Sequence, residues 1–61
     1  MNTREIVSKA LIDLERPFSK KELYEYCNNN GIDDVEEINE IMDFFCEIGT
    51  LKFTEEGYDI A

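Results

Sequence analysis

Pro17-Phe18-Ser19-Lys20-Lys21-Glu22-Leu23 is where one helix stops and another starts. The residue before a proline is pushed out of the helical region, so a helix approaching from the N-terminal side ends here. Ser19 and Glu22 have the spacing of a capping box. The serine hydroxyl accepts an orphan backbone N–H, and the glutamate reaches back to the N–H of the cap. Phe18 before the cap and Leu23 at the fourth helical position have the spacing of a hydrophobic staple. A second helix is therefore expected over residues 20–29, burying Leu23, Cys27 and part of Tyr24 and Tyr26. Asn28-Asn29-Asn30-Gly31 ends it, because asparagine and glycine tolerate the left-handed conformation that terminates helices.

Upstream, Ile6, Val7, Ala10, Leu11 and Leu14 fall on one stripe at helical spacing. They predict a first helix over about residues 4–15, with Thr3 as its N-cap. Downstream, Ile32-Asp33-Asp34 is a short turn. Asp34 and Glu37 repeat the capping spacing, and the early acids suit the positive end of a helix dipole. A third helix is expected over about residues 35–48. Its apolar face is Val35, Ile38, Ile41, Met42, Phe45 and Ile48, and Gly49 stops it. The period then changes to two. Leu51 and Phe53 alternate with Thr50 and Lys52, Thr54-Glu55-Glu56-Gly57 makes a turn, and Tyr58 and Ile60 alternate with Asp59. That is a β-hairpin over about residues 50–60. An isolated hairpin is marginal, so it must pack on the helices. Pro17-Phe18 is placed to add a short third strand.

The chain has 61 residues, one domain covering 1–61, with a core that buries only about 60% of the unfolded surface. An apolar fraction of 43% argues against disorder. No apolar run approaches the length of a membrane span, and the N-terminus lacks an apolar segment with a cleavage site, so no signal peptide is expected. Cys27 and Cys46 both fall in apolar helical patterns and read as buried thiols rather than a disulfide. A reducing cytoplasm fits that usage.

The order helix, extended link, helix, tight turn, helix, hairpin is similar to the winged helix-turn-helix family. The resemblance is carried by Phe18-Ser19-Lys20-Lys21-Glu22-Leu23, by Gly31-Ile32, by Phe45-Cys46-Glu47-Ile48-Gly49-Thr50-Leu51 and by Glu56-Gly57-Tyr58-Asp59-Ile60. It covers nearly the whole chain and rests on caps, turns and core positions rather than on chemistry. It implies a mostly α fold: a winged-helix-like three-helix bundle with a small C-terminal β-hairpin as the wing. It also implies that the third helix and the wing are the surfaces relatives present to DNA.

Those surfaces are acidic here. Net charge is −9, and residues 22–61 hold twelve acidic residues against Lys52 alone. Residues 1–21 hold five basic and three acidic residues. At 100° per residue, Glu36, Glu40, Asp43 and Glu47 fall in one narrow sector opposite the apolar face, flanked by Glu37 and Asn39. That sector has no lysine or arginine, and Glu55-Glu56 at the wing tip is acidic too. DNA binding depends on cations neutralising phosphates, and base readout most often uses arginine, lysine, asparagine or glutamine. Nucleic acid is therefore not the expected partner of this helix. Ile12 projects away from the core stripe of the first helix, and Phe44 lies at the edge of the apolar face beside the acids. Both are candidates for a partner-binding surface with Glu36, Glu40, Asp43 and Glu47; single exposed apolar residues are also ordinary.

No catalytic set is present, since the chain has no histidine and no glycine-rich phosphate loop. No cofactor is implied. Asp33, Asp34, Glu36 and Glu37 lack the alternating spacing and glycine of a calcium loop, and two distant cysteines do not make a zinc site. The expected function is a non-catalytic protein-interaction or regulatory domain, as a homodimer or with a protein bearing a basic surface. A small acidic inhibitor that mimics nucleic acid and a conventional DNA-binding regulator are the alternatives. A solubilising role alone would also account for the acidic stripe.

Overall fold

Helix α1 spans Thr3–Asp13 in the computed structural model, which describes residues 2–61. It begins one residue earlier than expected. Asn2, not Thr3, is the N-cap, and its Oδ1 accepts the Glu5 N–H at 2.9 Å. Thr3 is the first helical residue and is buried. α1 also ends two residues early, because Leu14 turns to an extended conformation (φ −77°, ψ 139°) while its N–H still donates to the Ala10 carbonyl. The end is set by tertiary packing before Pro17 is reached: Leu14 leaves the helix yet packs against the core. The Arg16 guanidinium turns back to donate to the Leu11 carbonyl at 2.9 Å, supplying a partner to a carbonyl near the helix end.

Helix α2 spans Lys20–Asn29, as the capping box predicts. Ser19 Oγ accepts the Glu22 N–H at 3.1 Å, and the Ser19 N–H donates to Glu22 Oε1 at 3.3 Å. Phe18 and Leu23, the staple residues, are both fully buried. At the other end Gly31 takes φ +85°. The Gly31 N–H donates to the Asn28 carbonyl, and that of Ile32 to the Cys27 carbonyl, the pair of bonds that defines a Schellman stop.

Helix α3 spans Val35–Glu47, with Asp34 Oδ1 accepting the Glu37 N–H at 3.1 Å. Gly49 (φ +84°) ends it by the same pair of bonds, Gly49 N–H to the Cys46 carbonyl and Thr50 N–H to the Phe45 carbonyl. Ile38 and Met42 are buried, and Ile41, Phe45 and Cys46 pack against the core. Val35 and Ile48, expected on the same face, are exposed. Thirteen residues of helix are about 20 Å long, and the molecule measures only 27 × 20 × 18 Å. Both ends of α3 therefore reach the surface, and only the middle turns are covered.

Strands β1 (Leu51–Thr54) and β2 (Gly57–Ile60) form an antiparallel hairpin, in register Leu51↔Ile60, Lys52↔Asp59, Phe53↔Tyr58 and Thr54↔Gly57. The expected third strand is a single antiparallel bridge, Phe18↔Tyr58. Phe18 N–H donates to the Tyr58 carbonyl at 3.0 Å, and Tyr58 N–H to the Phe18 carbonyl at 2.8 Å. Leu51, Phe53, Tyr58 and Ile60 share one face of the hairpin, since opposed and alternate residues point the same way. Leu51 and Tyr58 are buried there, but Phe53 is 68% and Ile60 41% exposed. Exposure therefore runs across the ladder rather than along it: each opposed pair buries one member, Leu51 opposite Ile60 and Tyr58 opposite Phe53.

The core joins every element: Ile6, Val7, Ala10 and Leu11 of α1, Phe18, Leu23 and Cys27 of α2 and its approach, Ile38 and Met42 of α3, and Leu51 and Tyr58 of the hairpin. Three helices followed by a C-terminal hairpin are compatible with a winged-helix layout. Among the described residues no helix is long and apolar enough to cross a membrane.

Candidate functional site

Glu36, Glu40, Asp43 and Glu47 are all exposed on α3. The sector they share is about 60° wide and lies opposite the buried Ile38 and Met42. Two of its neighbours are already engaged. Asn39 is half-buried, and its Oδ1 accepts the Tyr24 hydroxyl at 2.6 Å. The one amide side chain of α3, which could otherwise read a base edge, is thereby tied to α2. On the same flank Asp43 lies near enough to Tyr58 and Cys46 to influence both. Burial pushes the Tyr58 hydroxyl up, Cys46 and Asp43 add to that, and Lys20 opposes it through its charge and a hydrogen bond. The Cys46 thiol is raised first by burial and then by Asp43. Glu55 and Glu56 are exposed at the hairpin tip. α3 and the hairpin tip therefore present carboxylates outward.

Phe44 stands on α3 next to this sector and is 43% exposed. Its ring packs against Phe45 with centroids 6.0 Å apart, and the Arg4 guanidinium sits 5.4 Å from its centroid. A cation over an exposed ring contributes roughly 0.5–1 kcal/mol, so Phe44 is partly roofed by α1. Ile12 is 79% exposed but belongs elsewhere. It lies about 12 Å further along α1 than Arg4, on the side of α1 turned from the core. The structure thus groups Phe44 with the four acids on α3 and leaves Ile12 on a separate face.

Cys27 is buried and Cys46 half-buried, both as free thiols. Burial also raises the Cys27 thiol, which disfavours the thiolate a nucleophile or metal ligand would need. Among the described residues no three His, Cys, Asp or Glu side chains are grouped to hold a metal ion. A cleft of about 250 Å³ opens between α2 and α3, lined by Tyr24, Glu25, Asn28, Asp33, Val35 and Ile38. That is below the usual range of small-molecule sites, about 300–1,000 Å³.

The exposure of Phe53 was not legible in the sequence. Alternation marks the apolar face of a strand, but not which residues of that face the helices cover. Comparison with protein-family models, with curated proteins and with solved structures finds no match for this chain.

Proposed function

We infer that this chain is a non-catalytic protein-interaction module of winged-helix type, working in the cytoplasm, whose acidic α3 face meets a basic protein surface rather than DNA. One observation carries the reading. Four exposed carboxylates occupy the sector of α3 that points away from the core, and that sector has no cation. Bringing it to a duplex would set like charge against both strands, with no counterion release to drive association. The engagement of Asn39 by Tyr24 supports the same reading, because it withdraws the side chain best suited to a base.

The stripe from Glu36 to Glu47 is about 16 Å long, one carboxylate per roughly 5–6 Å, which is dense enough to attract a cationic surface.

The test uses the intact chain as bait in extract of its native host, beside a variant with Glu36, Glu40, Asp43 and Glu47 all changed to lysine. A partner held by the first and lost by the second, with unchanged circular dichroism, supports the reading. Retention of that partner by the reversed variant overturns it. So does retardation of random duplex by the unmodified chain in a low-salt gel shift.

A further inference from the structure

The cleft between α2 and α3 is built by both helices and the turn that joins them. Tyr24, Glu25 and Asn28 come from the second half of α2 and are helical neighbours, three and four residues apart. Asp33 comes from the turn, and Val35 and Ile38 come from the start of α3. Ile38 is 1% exposed and closes the cleft from below, whereas Val35 is 44% exposed. Glu25, Asn28 and Asp33 are exposed as well, so the cleft is open to solvent. Its walls are held in place. The Tyr24 hydroxyl donates to Asn39 Oδ1 at 2.6 Å and ties α2 to α3. The Gly31 and Ile32 N–H groups donate to the Asn28 and Cys27 carbonyls and fix the turn.

Charge and size select what can enter. No lysine or arginine lines the cleft, while two carboxylates do, Glu25 from α2 and Asp33 from the turn. The side-chain bonds of this part of the molecule engage Tyr24, Tyr26 and Asn30. Among the described residues Glu25, Asn28 and Asp33 have no such bond, so their acceptors are available. The helix ends do not change the sign. The negative end of α2 and the positive end of α3 both lie beside the cleft and offset each other, and Asp34 already caps α3. The volume of about 250 Å³ equals that of about eight water molecules in the liquid. That is room for one long side chain and too little for most small-molecule ligands.

We propose that this cleft takes up a single arginine side chain of the basic partner protein. The aliphatic stem lies on Val35 and Ile38, as long charged side chains bury their stems on apolar surface. The guanidinium lies against Tyr24 and between the Glu25 and Asp33 carboxylates, and the Asn28 amide oxygen accepts a further N–H. Arginine suits this set better than lysine. Its planar fork of donors serves several acceptors at once and stacks on an aromatic face. Arginine anchors seated in pockets are also a common feature of the residues that dominate interface affinity. A second copy of this chain has no free arginine to offer. Its Arg4 lies over the Phe44 ring and its Arg16 is bonded to the Leu11 carbonyl. The proposal rests on the reading of the chain as a module for a basic protein partner. The α3 stripe attracts that partner by charge, and the cleft selects one of its side chains.

The probe is arginine blocked as its N-acetyl methylamide, titrated into the intact, nitrogen-15-labelled chain at physiological salt. Saturable shifts should appear at the Tyr24, Glu25, Asn28, Asp33 and Val35 amides. The citrulline analogue keeps the shape but replaces the guanidinium by a neutral urea, and it should bind about tenfold more weakly or worse. The blocked lysine analogue, with the same charge, should also bind more weakly. Glu25→Gln combined with Asp33→Asn should weaken arginine binding about tenfold or more. Glu40→Lys, Asp43→Lys and Glu47→Lys together spare the cleft and should change it by no more than about threefold, because salt screens the more distant charges. If either variant fails to fold, the comparison of arginine with citrulline and lysine on the unmodified chain still decides the matter. Equal affinity for arginine and citrulline, or for arginine and lysine, overturns the proposal. Shifts centred on residues 40–47 that disappear in the three-lysine variant also overturn it, while leaving the α3 reading intact.

Discussion

Replacing Gly57 by alanine would put a methyl carbon 2.4 Å from the Phe18 carbonyl oxygen and 2.8 Å from its carbonyl carbon. Neither atom can yield cheaply. The Phe18 ring is fully buried, and its backbone is held to Tyr58 by hydrogen bonds of 3.0 and 2.8 Å. The backbone at Gly57 also has φ +130°, a region that costs a residue with a side chain about 1–3 kcal/mol. Forcing the bridge apart would forfeit two hydrogen bonds of about 1 kcal/mol each. The sum is about 3–5 kcal/mol, against a total stability of roughly 3–9 kcal/mol for a chain of this size. Gly49→Ala and Gly31→Ala are the controls. Both glycines have φ near +85°, but nothing lies within 4 Å of the added carbon. Each should cost only about 1–2 kcal/mol. Thermal melts followed by far-ultraviolet circular dichroism should place Gly57→Ala at least about 5 °C below either control. A melting point within a few degrees of Gly49→Ala would show that the Phe18–Tyr58 bridge does not hold the hairpin on the helices.

Ser19→Ala removes the cap of α2 and should cost about 1 kcal/mol by urea unfolding, with little effect expected from the nearby exposed Lys21→Ala. The Tyr26 hydroxyl donates to Asp13 Oδ2 at 2.6 Å, and that bond pushes its pKa up to about 12; Asp13→Asn should bring its titration, read by proton NMR of the ring, back down toward 10. Alkali should weaken the fold. The Cys27 and Cys46 thiols and the Tyr58 hydroxyl are all raised above their ordinary values, chiefly by burial. The unfolded chain therefore releases those protons first as pH rises, and the stability they contribute is present below about pH 9 and lost above it. A melting temperature that holds constant well into the alkaline range would contradict the burial of these groups.

The parts of this molecule that were legible as sequence are those decided within about five residues of chain. The box Ser19–Glu22 sets the start of α2, Asp34 sets the start of α3, and Gly31 and Gly49 set the stops, because each bond involved joins near neighbours. The acidic sector was legible for the same reason: helical periodicity alone places Glu36, Glu40, Asp43 and Glu47 together. What could not be read depends on contacts between distant residues. The early end of α1 follows from Leu14 turning into the core. The exposure of Val35 and Ile48 follows from how little of α3 the small molecule covers, and that of Phe53 from which member of an opposed pair meets the helices. The pairing of Phe18 with the β2 side of the hairpin joins residues forty apart in the chain. A linear pattern states which side of an element is apolar. Which stretch of that side is covered, and by what, is decided only when the elements meet, because burial belongs to pairs of surfaces.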